Sequence, residues 1–304
     1  MRTLVDLAAQ DPRIALLTGD LGFMAIEPFI ERFPDRFYNV GVAEQNLVGI
    51  ATGLAESGYL PFIYSIAPFA TLRPYEFIRN GPVLHHLPVR IVGIGGGFEY
   101  ATAGPTHFAL EDIAVMRALP GLAVIAPADY QQAASALAQT WNLPGPIYYR
   151  VGKDDKTTVP GLHGKFALGA TQRVRDGDDL LFLATGSIAS EVVAAADLLA
   201  DCGIEAAVHV VASIVPSPSA ELADLLSHYS LALTVETHTR EGGLGSLVAE
   251  VIAEHRTGAR LVRCGVAPGS NGRLGSTAYM HRVHGLDRDG LVKRVLSARV
   301  ECGA

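Results

Sequence analysis

Short apolar runs of strand length alternate along the chain with longer segments in which apolar residues recur at helical spacing. Strands of a parallel sheet are buried on both faces, so they appear in a sequence as continuous apolar runs with helices between them. The pattern therefore predicts an α/β protein with two doubly wound domains. The predicted strands are 14–17, 37–40, 62–66, 89–94, 123–126 and 147–150, followed by 180–183, 206–211, 231–235 and 261–264.

The alternation is interrupted once, by a polar stretch containing glycine and lysine between residues 152 and 177. Such a stretch is typical of a linker. We therefore expect a first domain over 1–158, a linker over 159–176 and a second domain over 177–304. The predicted helices are 24–33, 44–57, 74–84, 110–119 and 130–141, then 190–200, 220–226, 244–254 and 289–299.

Composition limits the classes of function. The chain has 304 residues, enough for two domains, and a net charge of −7 with acids and bases interleaved, which favours neither nucleic acid nor an anionic membrane as a partner. Three scattered cysteines are too few for a disulfide framework or a zinc site. The N-terminus lacks the apolar run of a signal peptide, so we expect a cytoplasmic protein. We also expect the chain to have no metal site of its own.

Glu44 is the first candidate for chemistry. It begins an apolar, glycine-containing predicted helix, and an apolar predicted strand follows that helix. A carboxyl group at the edge of a core can share a proton with a bound heterocycle. The alternative is a helix-start carboxylate that is favoured only by the helix dipole.

Two further candidates come from segments that follow predicted strands. Phe69 lies where a parallel strand ends, the usual position of a ligand crevice, and its ring could stack on another ring, although it could equally be a core residue. His107 follows a glycine-rich connection and precedes a predicted helix, so it could face the same crevice or serve only a structural role. At the end of another strand, Arg150 and Lys153 could hold an anionic substrate or be solvated surface cations.

Taken in order, these segments resemble the C-terminal half of transketolase, and more closely the C-terminal subunit of the split, two-chain transketolases. The resemblance extends over essentially the whole chain. It is carried by the runs Gly41-Val42-Ala43-Glu44-Gln45-Asn46, Phe69-Ala70-Thr71, Ile78-Arg79-Asn80, Gly104-Pro105-Thr106-His107, Met116-Arg117-Ala118-Leu119-Pro120, Pro127-Ala128-Asp129, Gly242-Gly243-Leu244-Gly245-Ser246 and Gly285-Leu286-Asp287.

The resemblance implies a pyrimidine-binding domain followed by a transketolase C-terminal domain, with thiamine diphosphate and Mg²⁺ as cofactors. It implies that Glu44 protonates the aminopyrimidine ring, and that Phe69 and Ile66 border that ring. It further implies that His107 faces the substrate as a catalytic and binding residue, and that Arg150 binds a phosphate of the substrate. The implied reaction is transfer of a two-carbon ketol unit from a ketose donor to an aldehyde acceptor.

The family's diphosphate and magnesium motif, a Gly-Asp-Gly segment followed by Asn, is missing. Thr18-Gly19-Asp20-Leu21-Gly22 lacks the second glycine in place and falls in the wrong domain. The resemblance therefore implies that a separate N-terminal subunit holds the diphosphate and the metal, and that the two kinds of chain form a heterotetramer.

Three departures from the family pattern concern the substrate. Gly95 replaces a histidine, Ala103 replaces the aspartate of an acidic pair, and Ile66 replaces an aromatic residue of the pyrimidine pocket. Fewer polar sugar contacts indicate a less hydroxylated sugar or keto substrate.

Two alternatives remain. One is a related thiamine-diphosphate enzyme, either similar to deoxyxylulose-phosphate synthase or the beta subunit of a 2-oxo-acid dehydrogenase. The other is a catalytically silent scaffold subunit.

Overall fold

The computed structural model describes residues 1–267 and 273–302. Within them the chain forms a seven-stranded and a five-stranded sheet, both predominantly parallel and both packed against helices. The predicted α/β class with two doubly wound units is confirmed, and each predicted strand is present in one of the two sheets. Among the described residues, no helix has the length and apolar character needed to cross a bilayer.

The first sheet has the order β10-β5-β6-β4-β3-β1-β2. Its strands alternate with helices along the chain, as a parallel sheet requires. The elements of this unit are α1 (Arg2–Gln10), β1 (Ile14–Thr18), α2 (Glu27–Arg32), β2 (Phe37–Asn39), α3 (Glu44–Glu56), β3 (Leu60–Ile66), α4 (Ala67–Thr71), α5 (Tyr75–Ile78), β4 (Arg90–Ile94), α6 (Asp112–Arg117), β5 (Ala123–Ile125), α7 (Tyr130–Thr140) and β6 (Ile147–Val151).

Strand β1 shows why the apolar runs are continuous. Its residues alternate between the two faces of the sheet, as in any β-strand. Ile14 and Leu16 join the core formed with α1 and α2, whereas Ala15 and Leu17 join the core formed with α3. Helices therefore cover both faces, and no position of the strand is left for a polar side chain that faces water.

The second sheet has the order β12-β11-β8-β9-β7, in which β7 is antiparallel to β9. Its central strand β8 is buried throughout. The elements are β7 (Gln172–Arg175), β8 (Leu180–Thr185), α8 (Ala189–Ala200), β9 (Ala206–Val210), β10 (Ser213–Val215), α9 (Ser219–Ser227), β11 (Leu231–Thr239), α10 (Leu244–His255), β12 (Arg260–Val266), α11 (Thr277–His284) and α12 (Arg288–Cys302).

Two short strands, β7 and β10, were not predicted from the sequence pattern. The segment 159–176 that we predicted as a linker contains β7, which pairs with the second sheet. Strand β10 follows β9 in the chain but pairs antiparallel with β5, at the edge of the first sheet. The second half of the chain therefore contributes a strand to the first sheet, and both large apolar clusters contain residues from the two halves.

Candidate active site

Glu44 lies at the first position of α3, immediately beyond a turn in which Gly41 adopts a φ of +75°. A left-handed backbone conformation favours glycine, and it brings the chain from the end of β2 into the helix. The Glu44 carboxylate is 2% exposed and accepts two hydrogen bonds from Nη1 of Arg73, at 3.0 and 3.1 Å. A buried carboxylate requires such a partner, and no pattern in the sequence pointed to this one.

Phe69 is held in α4, which begins directly after β3 and so stands at the carboxyl end of a parallel strand. Four residues later, the guanidinium carbon of Arg73 lies 3.7 Å from the centre of the Phe69 ring. Arg73 lies in the turn directly after α4, and from there its cation reaches the face of the ring. Arg73 thus connects the Glu44 carboxylate to Phe69.

His107 is presented by a loop that is closed at its base. The backbone groups of Gly97 and Ala109 exchange two hydrogen bonds of 3.0 Å, and the segment between them carries His107 towards α4. The His107 and Phe69 rings meet edge to face with centroids 5.0 Å apart. Nδ1 of His107 lies 3.0 Å from the Thr106 hydroxyl, which fixes the orientation of the imidazole.

The three residues predicted to carry the chemistry therefore form one contiguous group, in which Glu44 contacts Arg73, Arg73 stacks on Phe69, and Phe69 contacts His107. Ile66 is half-buried at the end of β3, three residues before Phe69. It lies at the correct edge of the sheet for its predicted place beside the ring, and that role stays a prediction.

Tyr100 was not singled out from the sequence, yet it borders His107 with ring centroids 6.4 Å apart. Its ring occupies the space that a side chain at Gly95 would need, because a Cβ atom there would overlap the ring of Tyr100. Glycine at position 95 thus leaves room for the aromatic ring of Tyr100. Nζ of Lys153 lies 4.0 Å from the centre of that ring, which brings an exposed cation to the same group.

The structure shows Arg150 buried and paired with an acidic residue. Its side chain is 5% exposed, and its Nε donates a hydrogen bond of 2.8 Å to Asp112. Its Nη2 donates to the carbonyl groups of Ala109 and Thr237, so Arg150 connects the first unit to β11 of the second. The expectation that it is an exposed cation is wrong, because a carboxylate in α6 draws it into the interface. Lys153, in contrast, is exposed and lies over the ring of Tyr100, which in turn borders His107.

The candidate site lies outside the large cavity of the structure. A cavity of about 720 Å³ lies between the two units, and residues that line it include Glu99, Lys153, Ser187 and His281, but not Glu44, Phe69 or His107. Burial raises the pKa of the Glu99 carboxyl, and its hydrogen bonds from Lys153 N–H and the Ser187 hydroxyl oppose that shift. These two bonds connect Glu99 to residues of both units.

Comparison with known proteins identifies the family of the chain. Residues 1–156 match the pyrimidine-binding domain of transketolase, and residues 169–291 match the transketolase C-terminal domain. The chain belongs to the transketolase family. Members of this family are thiamine-diphosphate-dependent transferases. The predicted family and the predicted order of the two kinds of domain are confirmed.

The relatives include subunits of split transketolases. One subunit of the apulose-4-phosphate transketolase of Actinobacillus succinogenes is 36% identical over 275 residues, covering 90% of this chain and 88% of that protein. The 6-deoxy-6-sulfo-D-fructose transketolase subunit SqwH from a Clostridium species is 33% identical, with coverages of 95% and 90%.

A solved structure described as a split gene transketolase in the form of an inactive beta4 tetramer superimposes with a TM-score of 0.86. The two sequences are 32% identical, and the match covers 98% of this chain and 95% of that one. This chain therefore corresponds in length and fold to one subunit of a split transketolase.

Proposed function

We propose that this chain is the C-terminal subunit of a split transketolase that uses thiamine diphosphate to transfer a two-carbon ketol unit from a ketose donor to an aldehyde acceptor. The observation that carries the proposal is the contiguous group of Glu44, Phe69 and His107 at the carboxyl edge of the first sheet. A catalytically silent subunit would have no need for a buried carboxylate, an aromatic ring and a histidine assembled in this way.

The residues present fit the ring half of the cofactor. The planar guanidinium of Arg73 lies between Glu44 and Phe69, hydrogen-bonded to the first and 3.7 Å from the ring of the second. The gap therefore accommodates a flat, nitrogen-bearing group. Phe69, with Ile66 beside it, would border the ring, and Glu44 would bind one of its nitrogens. When bound, thiamine diphosphate supplies the nucleophilic carbon and the electron sink for cleavage of a carbon–carbon bond.

Glu44 and His107 have separate tasks in this mechanism. Glu44 is buried beside the proposed ring position, so it would hold a proton at the ring nitrogen that it contacts. His107 is half-buried and faces outward beyond Phe69, where it can bind and orient oxygen atoms of the substrate or move a proton to them. Two ionisable groups are thus placed at the two ends of one site.

The rest of the cofactor site would come from a partner. The sequence lacks the Gly-Asp-Gly motif for the diphosphate and Mg²⁺, so a separate N-terminal subunit would supply it in a heterotetramer. Exposed apolar side chains that a partner would cover follow the carboxyl end of β1, including Phe23 and Met24, which are 91% and 88% exposed. Val42, two residues before Glu44, and Leu72, directly before Arg73, are exposed as well. The inactive tetramer of the related split transketolase is consistent with this requirement.

The substrate class follows from charge. The two relatives above are named for sugars that carry a phosphate or a sulfo group. In this chain the exposed Lys153 beside Tyr100 is positioned to attract such an anion, whereas Arg150 is paired with Asp112. We therefore propose a small anionic ketose as donor, with Lys153 in the role that the sequence predicted for Arg150.

The test is reconstitution. The chain is co-expressed with the protein of similar size that carries the Gly-Asp-Gly motif, and the purified complex is assayed with thiamine diphosphate and Mg²⁺. We expect turnover of hydroxypyruvate or a ketose donor with an aldehyde acceptor, and none from either chain alone. Turnover of pyruvate with a lipoyl acceptor would instead indicate a 2-oxo-acid dehydrogenase component, and a complex without turnover would indicate a scaffold role.

A further inference from the structure

The side chain of Arg73 occupies the space that the proposed function reserves for a ring. Its Nη1 donates to both oxygens of Glu44, at 3.0 and 3.1 Å. Its guanidinium carbon lies 3.7 Å from the centre of the Phe69 ring. A planar, nitrogen-bearing group is thus bound between a buried carboxylate and an aromatic face.

An aminopyrimidine ring offers the same two kinds of contact, an N–H donor for a carboxylate and a flat face for an aromatic side chain. Arg73 and such a ring would therefore compete for the same atoms of Glu44 and Phe69. Without the coenzyme, Arg73 also supplies the charged partner of Glu44. The Glu44 carboxylate is only 2% exposed and would otherwise be buried without one.

The position of Arg73 allows its side chain to move from Glu44 into water. Its side chain is 41% exposed, in contrast to the buried carboxylate that it contacts. It lies between two short helices, α4 and α5, and is followed by Pro74. Ion pairs with an exposed partner are weak, so displacement of the guanidinium into water requires little free energy once another donor contacts Glu44.

We propose that Arg73 occupies the contacts on Glu44 and Phe69 that the coenzyme ring would use, competes with that ring, and is displaced when the ring binds. This inference rests on the proposed function. In this inference the Arg73 guanidinium remains hydrogen-bonded to the Glu44 carboxylate until the coenzyme ring binds and replaces it. It also carries a measurable consequence, because the apparent affinity for the coenzyme is reduced by the fraction of sites that Arg73 occupies.

The experiment uses isothermal titration calorimetry to measure how thiamine diphosphate, with Mg²⁺ present, binds to the complex of this chain and its N-terminal partner. We expect Arg73→Ala to bind the coenzyme about five-fold tighter than the wild type, because the competing group is gone. Arg73→Lys keeps a cation near Glu44 but cannot stack flat on Phe69, so its affinity should fall between the two. Arg13→Ala is the matched control, since Arg13 pairs with Asp11 at the opposite end of β1.

The melting temperature of each variant is measured in parallel, so that a loss of folding is separated from a change in binding. Equal or weaker binding by a folded Arg73→Ala complex would overturn the inference, because a purely structural arginine gives that result. A wild-type complex that binds no thiamine diphosphate would overturn the proposed function and this inference together. Wild-type binding without a gain in the Arg73 variants would overturn the inference alone.

Discussion

The rings of Phe69 and His107 lie edge to face, with centroids 5.0 Å apart. One belongs to the helix that follows β3, and the other to a loop closed by backbone hydrogen bonds between Gly97 and Ala109. Two segments that are well separated in the chain therefore meet at one point, and the outer end of the candidate site depends on that contact.

The imidazole of His107 should contribute to turnover without being needed for the fold. In the reconstituted complex, His107→Ala should lower kcat/KM by about 100-fold, the size expected for loss of a group that binds or protonates substrate oxygens. His255→Ala is the control, because His255 is exposed at the end of α10. A steady-state assay in which both variants match the wild type would remove His107 from the mechanism.

The buried ion pair between Arg150 and Asp112 should be a major contributor to stability. Asp112→Asn leaves the Arg150 guanidinium buried without its charged partner, and we expect the free energy of unfolding to fall by about 3 kcal/mol or more. Asp197→Asn, which breaks the exposed pair with Arg175, should change it by less than about 1 kcal/mol. Urea denaturation of both variants measures the difference, and equal small effects would contradict the assigned role.

The sequence predicted the class of fold because buried parallel strands leave a direct trace, namely continuous apolar runs. It could not predict β10, because this strand has only three residues and pairs with β5, which lies in the other half of the chain. Helical spacing between Phe69 and Arg73 was present in the sequence, but only the structure shows that the two side chains stack.

The burial of Arg150 was also beyond the sequence, since its partner Asp112 lies 38 residues earlier and on a different element. From the sequence alone, a cation at the end of a strand can be interpreted as a substrate-binding residue. Only the structure shows that Arg150 forms an ion pair with Asp112. Glu44 could be selected as a candidate because the residues around it are apolar, and the structure shows it buried; its role in catalysis stays a prediction.

Arg90 should support the fold at a distance from the site. Its guanidinium is buried and donates to the carbonyl groups of Trp141, Leu143 and Gly145, in the turn that leads from α7 into β6. Arg90→Met leaves these carbonyls without their donor, so we expect a loss of about 3 kcal/mol in the free energy of unfolding. Coenzyme affinity of the folded complex should be unchanged. Arg173→Met, in an exposed ion pair, is the control.

Stability should decrease in mild acid. Burial lowers the pKa of His209, and also those of His281 and His284, below the usual value. Below the unfolded pKa of about 6.5, the unfolded chain takes up protons that the folded chain does not, so the free energy of unfolding falls as the pH drops. Melting temperatures between about pH 7.5 and 5.5 check this sign.

The variant His209→Asn should weaken this pH dependence, because one of the three desolvated imidazoles is removed, while His255→Asn, at an exposed position, should leave it unchanged. A melting temperature that stays constant or rises on acidification would show that these side chains are not desolvated in the folded protein.

The central claim is that the Glu44 carboxyl group takes part in catalysis, and its most direct test is turnover of the reconstituted complex carrying Glu44→Gln. We predict a loss of at least about 100-fold with an unchanged fold by circular dichroism, because the amide keeps the shape of the side chain but cannot transfer the proton. Glu56→Gln, at the exposed end of the same helix, should retain full activity. Wild-type turnover by the Glu44→Gln complex would contradict the claim.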